Sequence, residues 1–294
     1  MLETLLADCS IIEGVELQIT LDDRVDIKRD DTIIHTVNDE QDYMSTVLNL
    51  AKTCDYTWVI APESNGVLTR AITMLEDIHC GLINCDSQSS EICSDKLVCN
   101  QVLSEAGINV IPILAAEQLA DYQGQVIAKK RVGAGCEEVQ IFESCADASA
   151  YTENPQEWIV QPFVIGKHRS LSAIFTATDF IILSCNEQVL SSGNRPSIKA
   201  CIVNQSEITE QHHELMKKIA QCLPGLNGYV GIDYIESGNE IYIVDINPRL
   251  STSYVGLNRV LKENPAQLCI NAVMHQSLPQ SIERNAHTVE IALG

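Results

Sequence analysis

Two acids stand on two neighbouring strand-like runs. Tyr229 to Ile235 carries Asp233, Glu240 to Ile246 carries Asp245, and Ser237-Gly238-Asn239 between them has turn chemistry. Acids are poor strand formers, and an unpaired carboxylate at a half-buried position is costly. Asn247 and Arg249 lie two and four residues after Asp245. Strand alternation points all three the same way if the strand continues that far. Two carboxylates, an amide oxygen and a guanidinium converging on one face suit a hard divalent cation carrying phosphate. The oxygens hold the ion, and the guanidinium forks onto phosphate. The plain alternative is an edge hairpin with solvent-facing acids. Asn247-Pro248-Arg249 after an apolar strand is unusual chemistry for a surface loop and favours the first reading.

A second constellation is basic. Gln125 to Lys129 reads as a strand, and Lys130-Arg131-Val132-Gly133-Ala134-Gly135-Cys136 follows, before the strand Glu138 to Phe142. The glycines do not make a dinucleotide fingerprint, since no helix follows them. Nor do they make a Walker loop, because the lysine precedes them. A glycine flap between antiparallel strands is a different phosphate device. Its backbone N–H groups close over phosphates while Lys129 reaches in from the strand.

The whole chain bounds these readings. It has 294 residues, 45% apolar and 20% charged, which are globular values for a chain of two or three structural units. A net charge of -21 argues against nucleic acid and against an anionic membrane surface as partners. No run reaches the roughly 18 apolar residues of a membrane helix, and the opening residues do not read as a signal. A cytoplasmic protein is expected. The 12 cysteines, with no Cys-x-x-Cys pair, are then reduced and mostly buried.

The elements that position the two constellations fall into three units. Residues 1–87 read as a small α/β unit, with a strand over Gly14 to Leu21 and a helix over Glu40 to Cys54. A buried strand over Tyr56 to Ala61 ends in Pro62-Glu63-Ser64-Asn65-Gly66, and a helix over Val67 to Asp77 follows. Loops at strand C-termini face ligands in α/β folds, which makes Glu63 a candidate. Residues 88–155 open a helix at Ser94-Asp95-Lys96 and then hold the flap. Residues 156–294 begin with a strand over Trp158 to Phe163. A hairpin over Ser170 to Ala177 and Phe180 to Val189 follows, then a helix over Thr209 to Cys222 and the acidic hairpin. Ser251 to Gly256 reads as a loop entering a helix at Leu257, and a last helix starts at Asn264-Pro265.

In order and spacing, these pieces resemble the ATP-grasp superfamily of carboxylate–amine ligases. The resemblance covers about Ser90 to Asn264: Asp95-Lys96, Val126 to Lys129 with Gly133-Ala134-Gly135, Gln161 to Gly166, Gly231-Ile232-Asp233 and Asp245 to Arg249. More narrowly, Asp245 to Leu257 and Pro62-Glu63-Ser64 are similar to the tyramine–glutamate ligase branch, which serves methanofuran biosynthesis. The resemblance implies an α/β (α+β) ATP-grasp fold, with two subdomains gripping ATP behind the N-terminal unit. It implies a ligase that makes an amide from glutamate's γ-carboxylate and tyramine or a related amine through an acyl phosphate. Lys96 and Lys129 match the lysines on the ATP phosphates, and Gly133, Ala134 and Gly135 match the flap. Gln161, Phe163 and Val164 match the stretch along the adenine, bound through backbone groups. Asp233, Asp245 and Asn247 match ligands for Mg²⁺ or Mn²⁺, two ions in the family. Arg249 matches the arginine beside the γ-phosphate. Ser251, Ser253 and Tyr254 lie where substrates would be held.

The partners so implied are a small carboxylate and an amine, with a homodimer as the assembly. Lys130 departs from the usual proline, Cys136 from serine, and Pro162 from an acid. Gly166-Lys167-His168-Arg169 lacks the usual ribose carboxylate. Two other readings stand beside this one: a catalytically idle nucleotide-binding module, and an ATP-grasp ligase with another amino-acid substrate.

Overall fold

The computed structural model describes residues 1–38, 40–133, 138–152 and 154–293. The N-terminal unit holds α1 (Leu2–Ser10), β1 (Leu17–Asp22), β2 (Thr32–Val37), α2 (Glu40–Ala51), β3 (Tyr56–Thr57), α3 (Val67–Asp77) and β4 (Gly81–Leu82). Strands β1 and β2 pair in parallel, as do β3 and β4. The strand expected over Tyr56 to Ala61 is only two residues long. Beyond it the backbone is held by a side chain instead, because Asn84 bonds both the N–H and the carbonyl of Val59 at 2.7 and 3.0 Å.

The middle unit holds α4 (Ser87–Ser94), α5 (Lys96–Glu105), α6 (Ala116–Asp121), β5 (Val126–Lys130), β6 (Gln140–Phe142), α7 (Cys145–Tyr151) and β7 (Trp158–Pro162), the strand expected to open the last unit, which pairs with β5 instead. Its antiparallel sheet runs β6-β5-β7. Asp95 caps α5 by accepting from Leu97 N–H at 3.0 Å, as the Ser94-Asp95-Lys96 signal predicts. The same carboxylate grips Arg131 bidentately at 2.6 and 2.7 Å, tying the start of α5 to the chain just after β5.

The last unit holds β8 (Lys167–Phe175), β9 (Phe180–Leu190), β10 (Ile198–Ser206), α8 (Glu210–Cys222), β11 (Gly228–Ser237), β12 (Glu240–Asn247), α9 (Tyr254–Val260), α10 (Pro265–His275) and β13 (Val289–Ala292). Its sheet has the order β12-β11-β8-β9-β10-β13 and is antiparallel throughout. One face is covered by α8, α5 and α4 around Phe175, Met216, Ile232 and Tyr234. His212 is buried in this layer and joins the Tyr234 hydroxyl at 3.0 Å, so it is part of the packing.

The other face carries the second core, and α1 lies within it. Leu5 and Cys9 pack with Ile174, Tyr229, Tyr254, Leu257 and Cys269. Asp8 accepts from the Tyr254 hydroxyl at 3.0 Å and from Asn258 Nδ2 at 2.8 Å. Burial holds its carboxyl above the usual carboxylate range. The sequence pattern gave no sign of α1 or of β2, α4 and β13. No described helix is long and apolar enough to cross a membrane.

The buried acid at position 8 makes a direct test of this packing. Asp8→Ala strands the Tyr254 hydroxyl and the Asn258 amide, and is expected to cost about 2–4 kcal/mol. Denaturant unfolding checks it, and a variant as stable as the parent would show that α1 is only loosely docked.

Candidate active site

Strands β11 and β12 bring the two acids face to face. Asp233 is the direct cross-strand partner of Asp245, beside a register shift between Asp233 and Tyr234. β12 is indeed an edge strand, yet both acids are partly buried rather than open to solvent. Like charges opposite one another repel. The neighbours answer that repulsion with donors. Gln188 Nε2 donates to Asp233 Oδ1 at 2.8 Å, Asn247 Nδ2 donates to Asp233 Oδ2 at 3.1 Å, and Lys96 Nζ stands 3.5 Å from Asp245 Oδ2. Burial and the Asp245 charge still push the Asp233 carboxyl from its ordinary 3.8 up to about 7.

This donor set fits a hard divalent cation. Two carboxylates that burden each other, with an amide that offers its oxygen when turned over, are what such an ion relieves. No third carboxylate, cysteine or histidine joins them into a larger metal-binding group among the described residues.

Facing the acids is a cleft lined by Lys96, Lys129, Gln161 and Asp245 with Asn100 and Val110. Lys96 sits on the first turn of α5, and its ammonium also donates to the Gly133 carbonyl at 2.7 Å. Lys129 is buried on β5, and alternation sends its neighbour Lys130 the other way, over the Trp158 ring at 4.5 Å and onto Glu157 at 2.9 Å. Lys130, which departs from the usual proline, does not line the cleft. Gln161 is buried on β7 and donates to the Ile111 carbonyl at 2.7 Å, which ties the strand to the chain after α5.

Phe163 and Val164 follow the end of β7, half-buried, and do not line that cleft. The Phe163 N–H donates to the Gln125 carbonyl at 2.9 Å, so this N–H is not free for a base edge. His168 lies on β8 opposite Ile235, where burial lowers its proton affinity. Of the expected flap residues, Gly133 is placed against Lys96, while Ala134, Gly135 and Cys136 lie outside the described residues.

Arg249 leaves β12 toward the N-terminal unit. Its Nη2 donates to Glu63 Oε2 at 2.6 Å and its Nη1 to the Leu250 carbonyl at 3.0 Å. Glu63 is only 4% exposed, so this is an interior ion pair between units far apart in sequence. Glu63 Oε1 and Arg249 Nε are both buried with no hydrogen-bond partner among the described residues. An unsatisfied buried donor or acceptor costs about 1–3 kcal/mol.

The expected substrate loop needs correction. Tyr254 does not face the cleft: it starts α9, three residues before the helix start expected at Leu257, and is fully buried with its hydroxyl on Asp8. Ser253 is 2% exposed and bonds Ser172 at 2.9 Å. Both belong to the floor behind the site. Ser251, partly exposed, is the member of the three nearer the surface, joined to Tyr229 and Ser253 at 2.9 Å each.

That floor was not anticipated. Ser170 and Ser172 on β8, with Ser184 and Asn186 on β9, are all buried, and Asn186 Nδ2 donates to Ser170 and Ser172 at 3.2 and 3.1 Å. Ser170 is paired with Asp233 across β8 and β11, so the polar strip runs from the acids toward Ser251. Ser170 and Ser172, and likewise Ser184, Asn186 and Gln188, recur at period two. Such a polar strip in strands buried on both faces was the available signal.

Comparison with known proteins follows this geometry. Residues 93–253 match the model described as the ATP-grasp domain, and residues 15–89 match the pre ATP-grasp 3 domain. A tyramine–L-glutamate ligase of Methanocaldococcus jannaschii is 25% identical over 274 residues, covering 92% of this chain and 79% of that protein. That of Methanocaldococcus fervens is 26% identical over 297 residues, covering 98% and 91%. A biotin carboxylase from Campylobacter jejuni, solved as a β,γ-ATP complex, superposes with a TM-score of 0.79 at 17% identity, over 96% of this chain and 71% of that one. At that identity the likeness carries the fold alone.

The acid pair predicts a pH signature. Asp233 binds its proton more tightly folded than unfolded, so it contributes stability below pH 3.8 that is lost as pH rises through about 7. Without divalent cation, Asp233→Asn is expected to flatten the decline in unfolding free energy across that window. A decline equal to the parent's would show that Asp233 does not titrate there.

Proposed function

The chain belongs to the ATP-grasp family and is an ATP-dependent carboxylate–amine ligase, and on that premise we propose that it joins the γ-carboxylate of glutamate to tyramine. The observation that carries the chemistry is the cleft in which Lys96 and Lys129 face Asp245, with Asp233 across the hairpin. Cations on one wall and a cation-binding acid pair on the other are what a nucleoside triphosphate needs. The substrate pair is proposed from likeness to the two Methanocaldococcus ligases over nearly the whole chain, at 25% and 26% identity.

In this reading the carboxylate attacks the γ-phosphoryl group of ATP, giving an acyl phosphate and ADP. The amine then attacks the acyl carbon, the carbon–oxygen bond to phosphate breaks, and the amide, phosphate and a proton are released. A carboxylate is a weak nucleophile, so positioning carries most of the acceleration. Lys96 and Lys129 hold the triphosphate oxygens, with Gly133 beside Lys96. Arg249 stands beside the carboxylate and the developing acyl phosphate and disperses their charge. Asp233, Asp245 and Asn247 would hold Mg²⁺ or Mn²⁺, two ions in this proposal, which supply charge neutralisation at the phosphates. Ser251 borders the substrate. The product class fits the assembly of a methanofuran-type cofactor.

ADP release with Mg²⁺, glutamate and tyramine together is the test, with the product identified by mass spectrometry as the γ-glutamyl amide. ADP release that ignores tyramine, or none at all, overturns the ligation proposed. Asp245→Ala is expected to lower turnover by more than about a hundredfold while leaving the unfolding transition in place. Parent-like ADP release from that variant would remove Asp245 from the metal site.

A further inference from the structure

The two facing acids are answered by different chemistry. Asp245 has a cation beside it, Lys96 Nζ at 3.5 Å. Asp233 accepts side-chain hydrogen bonds only from neutral amides among the described residues: Gln188 Nε2 on Oδ1 at 2.8 Å and Asn247 Nδ2 on Oδ2 at 3.1 Å. A neutral donor steadies a carboxylate without cancelling its charge. Of these two amides, Asn247 is itself an expected ligand, so it has to serve the ion and Asp233 Oδ2 at the same place. Gln188 has no second duty, and it grips the other oxygen.

Sheet order explains how Gln188 gets there. Asp233 pairs with Ser170, and Ser170 pairs with Asn186, so the three share one face. Gln188 lies two residues beyond Asn186 on β9 and returns to that face. It reaches Asp233 diagonally across the whole width of β8, which takes a long side chain. The strand beneath it is fixed by Asn186, which is fully buried. Asn186 Nδ2 donates to Ser170 and Ser172, and its Oδ1 accepts from the Asn204 N–H at 3.2 Å. Gln188 and Asp233 themselves are partly exposed, on the open side of that strip.

We propose that Gln188 is a positioning residue of the metal site: it holds Oδ1 of Asp233 so that Oδ2 is turned to the divalent cation. This rests on the reading of Asp233, Asp245 and Asn247 as ligands. Like charges opposite one another on paired strands push their carboxylates apart. With one oxygen fixed, the Asp233 carboxylate keeps its orientation before the ion arrives, as partners of metal ligands generally ensure. The residue type matters as much as the reach. A lysine at this position could hold Oδ1 too, but its charge would oppose the cation. Glutamine orients the ligand and leaves its full charge to the ion.

The experiment measures the ion directly. Full-length parent, Gln188→Met, Gln188→Lys and Asp245→Ala proteins are titrated with Mn²⁺ alone, and free Mn²⁺ is read from its electron paramagnetic resonance signal. Binding lost in Asp245→Ala defines the site. Gln188→Met keeps the side-chain length and removes the donor, and its Kd for that site is expected to rise about ten- to a hundredfold. Gln188→Lys is expected to weaken binding by at least as much. In turnover, the Mg²⁺ concentration for half-maximal rate is expected to rise by the same factor in Gln188→Met, while kcat at saturating Mg²⁺ changes by less than about threefold. Unfolding without metal checks that each variant is folded, and Gln188→Asn, one methylene too short, carries the same expectation if the methionine variant is not. Parent-like Mn²⁺ affinity in folded Gln188→Met would overturn the proposal. So would an unchanged Kd with a kcat that saturating Mg²⁺ does not restore, since Gln188 would then act elsewhere than on the ion. Parent-like affinity in Gln188→Lys would overturn the argument from neutrality. Mn²⁺ binding equal in Asp245→Ala and parent would instead remove the metal-site reading, and the proposal with it.

Discussion

Two carboxylates that face each other across one strand pair set the terms for everything around them. Asp233 and Asp245 cannot both hold full charge in a half-desolvated hairpin without help, and the structure recruits that help from four directions. Gln188 comes from β9, Asn247 from the end of β12, Lys96 from the first turn of α5, and the Arg249 charge from the chain beyond. Each belongs to a different element. The fold is thus organised around an electrostatic conflict that side chains from several elements answer together.

The second constraint is how lysines are kept near acids without collapsing onto them. Lys96 is shared between the Gly133 carbonyl and Asp245, and its backbone N–H bonds the Arg131 carbonyl at 2.9 Å. Asp95 caps the same helix and clamps Arg131. One short segment therefore fixes the helix start, the base of the flap and a cleft cation together. Through Lys96, Gly133 and the hairpin acid Asp245 are joined across the cleft.

Much of this was legible in the residues. The hairpin from Tyr229 to Ile246, the Val67–Asp77 helix and the Asn264-Pro265 helix start were written in turn, cap and periodicity signals that act locally. The acids, Lys129 and Arg249 stood out as candidates because charged residues among apolar ones need partners, whereas Lys96 and Gln161 were named only through the family resemblance. What escaped depends on long-range register. Gln188 reaches Asp233 only because β8 lies between β9 and β11, and nothing near Gln188 announces that order. Tyr254 was assigned outward because a Ser-Thr-Ser-Tyr run looks like a loop. Helix α9 begins at Tyr254 and turns it onto Asp8, in a core that helix α1 completes.

That last feature bears on how the chain is made. Asp8 meets Tyr254, Asn258 and Asn264 across sequence separations of 246, 250 and 256 residues. During synthesis the first helix leaves the ribosome long before its partners exist. Until they arrive, Leu5, Cys9 and the carboxylate have no core to enter. Contacts so distant in sequence form late and slowly, so closure of the second core is a natural last event. The residues of α1 are then among the last to settle. Through that interval the Cys9 thiol remains open to oxidants and the apolar face of α1 to chaperones.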